Sequence, residues 1–291
     1  MHYEKKKRKE YDFCNICGEE RKLTWDHVPP KCCNNRYNVK VNSWENGLPK
    51  DTSYEKAYQN GIRFRSLCED CNNKLLGANY DVTLAEFTNQ VMHIVNSDII
   101  LPSICKIPVK INELSRAICG HLLAAKNYYD DTSILEKQLR EYVQNSDLCP
   151  PQDTSLSYWV YPYSTIFLLR DVSVKSNSTK YAFPEGMVSI MNSFPIAYML
   201  SAGSKEDCGL FDIFKFCSST VDEVVEIPID RTSCYFPKTK HLRPSPWPCN
   251  VSDEEDGAMF LLGSSEEMKD SKIAKQSLEN MNKIRQSVKK I

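Results

Sequence analysis

Several features are missing from this sequence, and each absence removes a class of protein. No run of 18 or more apolar residues occurs, so no segment reads as a membrane-spanning helix. The basic start MHYEKKKRKEYDF is not followed by the apolar core of a secretory signal, so an unsecreted, cytoplasmic protein without a membrane partner is expected. Neither an internal repeat nor a low-complexity tract is present, so the chain is not read as a repeat array. The net charge is only −1, so the molecule as a whole lacks the electrostatic footprint of a nucleic-acid binder.

What is present is unevenly distributed. Residues 1–75 carry 15 basic against 11 acidic side chains, while the remainder of the chain carries 22 against 27. The basic end is also where the cysteine motifs lie. Thirteen cysteines is a high count, but the number is odd and two C-x-x-C pairs stand apart, a pattern that suits metal binding in a reducing compartment better than a disulfide framework.

With 291 residues, 41% hydrophobic and 26% charged, the chain is long enough for about two domains of ordinary globular composition. An α+β organisation is expected. Residues 1–80 hold most of the site chemistry. Residues 81–149 read as a helical connector: Leu84, Phe87, Val91, Ile94 and Val95 recur at helical spacing, as do Leu114, Ile118, Leu122 and Leu123, and a third helix spans about Thr132 to Val143. Residues 150–262 read as a mostly β domain from runs such as Tyr158–Tyr161, Thr165–Leu169, Met187–Met191, Ile196–Leu200 and Val224–Ile229. Prolines from Pro237 to Pro248 and the acidic stretch Asp253–Asp256 predict a surface loop, and residues 263–291 a polar tail with a weak helical period.

Cys14-Asn15-Ile16-Cys17 and Cys68-Glu69-Asp70-Cys71 each place two thiolates on one tight turn, and four such sulfurs are what a structural zinc requires. Gly18, after the first pair, supplies the tolerance for positive φ that such turns need. Zinc ribbons that only bind partners use the same spacing, so the residues between and after the pairs decide the reading. Leu23-Thr24-Trp25-Asp26-His27-Val28-Pro29-Pro30 sets an acid and an imidazole side by side at the end of a short strand, and Asn72 directly follows the second pair.

Here the chain resembles the HNH, or ββα-metal, endonuclease family, in particular its zinc-containing phage junction-resolving members and the bacterial nucleases with a D-H-V-P-P box. The likeness covers about 60 residues, 14–72, or about 80 with the following helix. It implies a zinc cage of Cys14, Cys17, Cys68 and Cys71, a general base at His27, and a catalytic Mg²⁺ or Mn²⁺ on Asp26 and Asn72. It also implies DNA as substrate and a defence role like that of bacterial restriction or anti-phage effectors. Elementary chemistry agrees: an imidazole with a pKa of ~6.5 accepts a proton from water near pH 7, and two oxygen donors leave open positions on a hard cation.

Between His27 and Cys68 lie 40 residues, more than compact family members use, so Cys32 to Arg65 is expected to contain an inserted loop. The middle Asn of the motif is therefore hard to place, Asn46 and Asn60 being candidates. Lys31, Arg36, Arg63, Arg65 and Lys74 are candidate phosphate contacts, with a solvated charged face as the alternative. Lys5 to Lys9 reads as a DNA-steering arm or a plain tail, Cys32 and Cys33 as packing residues, and His93, His121 and His241 as structural. A regulatory ligand or protein partner would act through 150–262. The competing function is a non-catalytic zinc module that binds nucleic acid or a protein.

Overall fold

The computed structural model describes residues 8–45, 48–49, 56–161, 165–174, 186–203, 210–218, 223–231, 259–264 and residue 279. The expected tail helix, His241, the proline-rich and acidic loop, Asn46 and Lys5 to Lys7 lie outside these. In chain order the strands are β1 Tyr11–Phe13, β2 Glu20–His27, β3 Val39–Glu45, β4 Leu48–Pro49, β5 Lys56–Tyr58, β6 Arg63–Cys68, β7 Ile104–Lys110, β8 Thr154–Val160, β9 Thr165–Val174, β10 Gly186–Ser193, β11 Ile196–Ala202, β12 Phe211–Asp212, β13 Val224–Asp230 and β14 Met259–Ser264. A π-type helical run, Asp70–Tyr80, passes directly into α1, Asp81–Val95; α2 spans Ile111–Ala124 and α3 Ile134–Gln144. The protein is α+β.

Three sheets organise the described residues. A small antiparallel sheet, in the order β1-β2-β6, carries the residues of the cysteine and Asp-His motifs. A larger antiparallel sheet runs β12-β8-β11-β10-β9-β14-β3-β4, with β5 also on β3, and β13 pairs with β7. The β-rich character expected after residue 150 is therefore present. The stretch expected as an inserted loop instead contributes β3, β4 and β5, and β3 joins the larger sheet through β14, pairing Val41 with Gly263. The stretch read as a helical connector also contains β7, between its first two helices, which pairs Ile107 with Ile227.

Periodicity explains the helices. In α1, Leu84, Phe87, Val91 and Val95 are buried on one stripe, as their spacing requires. The α2 helix is buried all round and forms the hub of the molecule. Each of Leu114, Ile118 and Leu122 contributes about 1.5–3 kcal/mol of burial there. Gly120 lets α2 approach the helical run 70–80 closely, because a Cβ at that position would sit 2.4 Å from Leu76 Cδ2. Ser133 caps α3 by accepting from the Glu136 amide. The guanidinium of Arg116, 1% exposed, donates to the carbonyls of Tyr142, Asn145, Ser146 and Leu148 and so closes the other end of α3.

These helices pack on the zinc-motif segment and not merely beside it. Asn15 Nδ2 donates to the carbonyls of Leu123 and Lys126, Ser66 Oγ to that of Ala124, Arg140 Nε to that of Asn15 and Gln144 Nε2 to that of Ile16. One buried cluster runs from Cys14 through α2 to Ile229.

Candidate functional site

The first knuckle is a tight turn closed by the Gly18 amide on the Cys14 carbonyl, with Gly18 at φ 71° as the turn demands. The second knuckle lies where β6 ends and the helical run begins. Between them, β2 and β6 pair Leu23 with Cys68 across the sheet. That pairing brings Cys14, Cys17, Cys68 and Cys71 together with their sulfurs all within 4.8 Å of one another.

A tetrahedral ion with Zn–S of about 2.3 Å places its sulfurs about 3.8 Å apart, and Cys17 and Cys68 stand 3.9 Å apart. The amides of Cys68 and Ile16 point at Cys14 Sγ, at 3.3 and 3.5 Å. Hydrogen bonds from the Cys17 and Cys71 thiols outweigh burial, which acts in the opposite direction, and push the Cys14 thiol down to about 4. This donor set is compatible with a structural zinc. Cys32 and Cys33 lie outside the cluster; Cys33 is buried with its sulfur 3.5 Å from Thr88 Oγ1.

The sheet's second product is the end of β2. Past the register shift between Thr24 and Trp25 in the β2–β6 pairing, alternation turns Asp26 inward and Trp25 and His27 outward: Asp26 is buried, His27 half-buried and Trp25 exposed. His27 Nε2 sits 2.9 Å from the Asn60 carbonyl. A carbonyl only accepts, so Nε2 carries the hydrogen and Nδ1 keeps its lone pair. Burial lowers the pKa of His27 despite that hydrogen bond, which favours the neutral ring.

The loop that follows His27 is fastened by a residue whose role the sequence did not disclose. Asn35, fully buried, donates to the carbonyls of Pro29 and Ile62 and accepts from the Ile62 amide at 2.8 Å. It ties the turn after His27 to the residues just beyond Asn60. Between them, Gly61, at φ 90°, passes so close that a Cβ would lie 2.2 Å from the Asn35 carbonyl oxygen.

Asp26 has company that the sequence reading missed. His121, on α2 and 1% exposed, places Nδ1 3.2 Å from Asp26 Oδ2 and Nε2 2.8 Å from Asp81 Oδ1. Burial alone would lower its pKa, but Asp81 and then Asp26 outweigh burial and hold it well above the ordinary value. No sequence spacing marked these two carboxylates as partners of His121, because they lie 95 and 40 residues away. His93 is exposed.

The contacts do not join the proposed metal ligands to each other. Asn72 directs Nδ2 to Thr24 Oγ1 at 2.9 Å and to the Trp25 carbonyl at 3.3 Å. Its side-chain amide is therefore spent on β2, at the two residues just before Asp26. These contacts use Asp26 Oδ2 and Asn72 Nδ2, not the Oδ1 atoms of the two residues.

Of the basic candidates, Lys31, Arg36 and Arg63 are exposed and Arg65 half-exposed, and none forms an ion pair among the described residues. Lys74 is bound to Asp70 at 2.6 Å, and Asp70 also holds Arg21. Arg8, at the end of the basic N-terminal run, is buried against Asp12, Asn15 and the Phe13 carbonyl. No helix among the described residues is long and apolar enough to cross a membrane.

Comparison of the chain with protein-family models, with curated proteins and with solved structures finds no match.

Proposed function

We propose that this protein is a metal-dependent endonuclease of the HNH type, hydrolysing phosphodiesters of nucleic acid, DNA in the first instance, with His27 as general base. The observation that carries the reading is the unit itself: two antiparallel strands and a helix, clasped by four cysteines, with an acid-imidazole pair at the end of the first strand and an amide at the start of the helix. Three additional features support it. The Asn60 carbonyl fixes the His27 tautomer with Nδ1 open, Asn35 provides the backbone brace that the family's middle Asn supplies, and His121 orients Asp26.

His27 Nδ1 takes a proton from water as the water oxygen bonds to phosphorus, and the P–O bond to the leaving sugar oxygen breaks. Solvent returns a proton to that oxygen. Asp26 Oδ1 and Asn72 Oδ1 are an oxygen-only pair, the donor type that Mg²⁺ or Mn²⁺ takes. Such an ion, when bound, supplies positive charge for the phosphate oxygens. The cysteine cluster, loaded with zinc, holds hairpin and helix together and takes no part in the chemistry. The region 150–262 would set where or when cutting occurs, as in an anti-phage effector.

Replacing His27 by Ala should abolish Mg²⁺- or Mn²⁺-dependent nicking of plasmid DNA while zinc content and folding stay intact. Unchanged cutting would sink the mechanism. One observation favours a rival reading: Asp26 is buried in contact with His121, and Asn72 spends its amide on β2, as structural residues would. On that reading the unit is a non-catalytic zinc module, and the wild-type protein cuts no nucleic acid with either ion.

A further inference from the structure

We infer that the solvent face of the β2–β6 hairpin binds single-stranded or unstacked nucleic acid, with one base stacked on Trp25 and the neighbouring phosphate delivered to His27. Only the fate of that phosphate rests on the proposed nuclease activity; the binding itself does not.

The face is built by strand register. Trp25 lies directly opposite Arg65, and His27 directly opposite Arg63, so all four side chains share one side of the hairpin. Trp25 is 50% exposed on a strand whose inward residues are buried. The Arg65 and Arg63 guanidinium carbons stand 4.8 and 5.8 Å from the centre of its ring. Among the described residues neither arginine forms a salt bridge, though Arg65 lies near enough to the Glu10 carboxylate to lower its pKa, and Arg65 Nε has no hydrogen-bond partner there. Lys31 adds its charge close enough to be felt by His27. An exposed indole with two guanidinium groups over it, neither in a salt bridge among the described residues, is poorly suited to an apolar protein surface. It suits a polyanion whose repeating units carry flat, stackable rings.

Chemistry also selects the form of the polyanion. A base inside a duplex has both faces covered by its neighbours and offers none to an indole unless it leaves the stack. Trp25 and His27 are two residues apart on a strand, about 7 Å, roughly twice the ~3.4 Å rise per nucleotide of a stacked strand. A base on Trp25 and the next phosphate at His27 therefore fit a strand drawn out at that step. Deoxyribose and ribose strands share this chemistry.

The test uses full-length His27→Ala protein, so that nothing is cut, in buffer without added Mg²⁺ or Mn²⁺. Fluorescence anisotropy would compare a labelled oligothymidylate, the same strand in a duplex, and an oligouridylate. Single strands should bind more tightly than duplex, and the tighter of the two identifies the preferred sugar. Adding Trp25→Ala should weaken single-strand binding roughly 5- to 100-fold and leave duplex binding unchanged, while Trp25→Phe retains most of the affinity. Arg63→Ala and Arg65→Ala should each flatten the salt dependence by about 0.7 in the log–log slope. Because Trp25 is half exposed, its variants should melt with the parent. Equal affinity for duplex and single strand, or a Trp25→Ala effect that is absent or the same on both, would overturn the inference. A wild-type protein that binds single strands in this way but cuts nothing would refute the nuclease reading and leave this one standing.

Discussion

Replacing Asn35 by Ala perturbs the loop behind His27 without touching the imidazole, and its cost can be worked from the structure. The substitution removes three hydrogen bonds at a fully buried position, orphaning the Ile62 amide and two acceptor bonds, at the carbonyls of Pro29 and Ile62. A buried donor left unsatisfied costs about 1–3 kcal/mol. The Ile62 carbonyl still accepts from the Val28 amide at 3.1 Å, so its loss is smaller. The sum is about 3 kcal/mol, a large fraction of the ~5–15 kcal/mol that holds a typical domain. Asn35→Asp should be at least as damaging, since the carboxylate keeps the acceptor for Ile62 but turns an anionic oxygen toward two carbonyls. Urea denaturation would report the stability, and hydrogen exchange at the Ile62 and Val28 amides would show where it is lost. A change below about 1 kcal/mol, with Ile62 protection intact, would refute the account of Asn35 as the brace.

Other outcomes follow from the same geometry. Cys68→Ala removes one of four sulfurs and an anchor of the β2–β6 pairing, so the protein should lose bound zinc and melt earlier; full zinc occupancy by elemental analysis would contradict the cage. His121→Ala leaves Asp26 and Asp81 without the shared imidazole and should cost about 3 kcal/mol in denaturant unfolding, with nicking lost further than stability if Asp26 is a ligand. Burial lowers the His27 pKa below its ordinary value, so the acid limb of the cutting rate should be centred below pH 6.5, and a limb centred above it would exclude His27 as the base.

Local chemistry made part of this molecule readable in advance. The two C-x-x-C turns, the Gly18 requirement, the α1 and α2 stripes and the β-rich runs after residue 150 depend on neighbours within a few residues, which sequence spacing reports directly. Pairings between distant segments left no such trace. β3 and β14 are separated by more than two hundred residues and β7 and β13 by about 120, so the first was read as part of a loop and the second hid within a helical stretch. Asn35 has no motif around it, and only the return of the chain at Ile62 gives its amide something to hold. His121 looked structural until α2 docked behind β2, and Trp25 looked like one letter of a motif until β6 set two arginines beside it. The sequence by itself determined the two cysteine turns and the acid-imidazole pair, because these are properties of short segments. Which side of the strand each residue faces, and which distant group meets it there, was decided by strand register and helix docking, which exist only once the chain has folded.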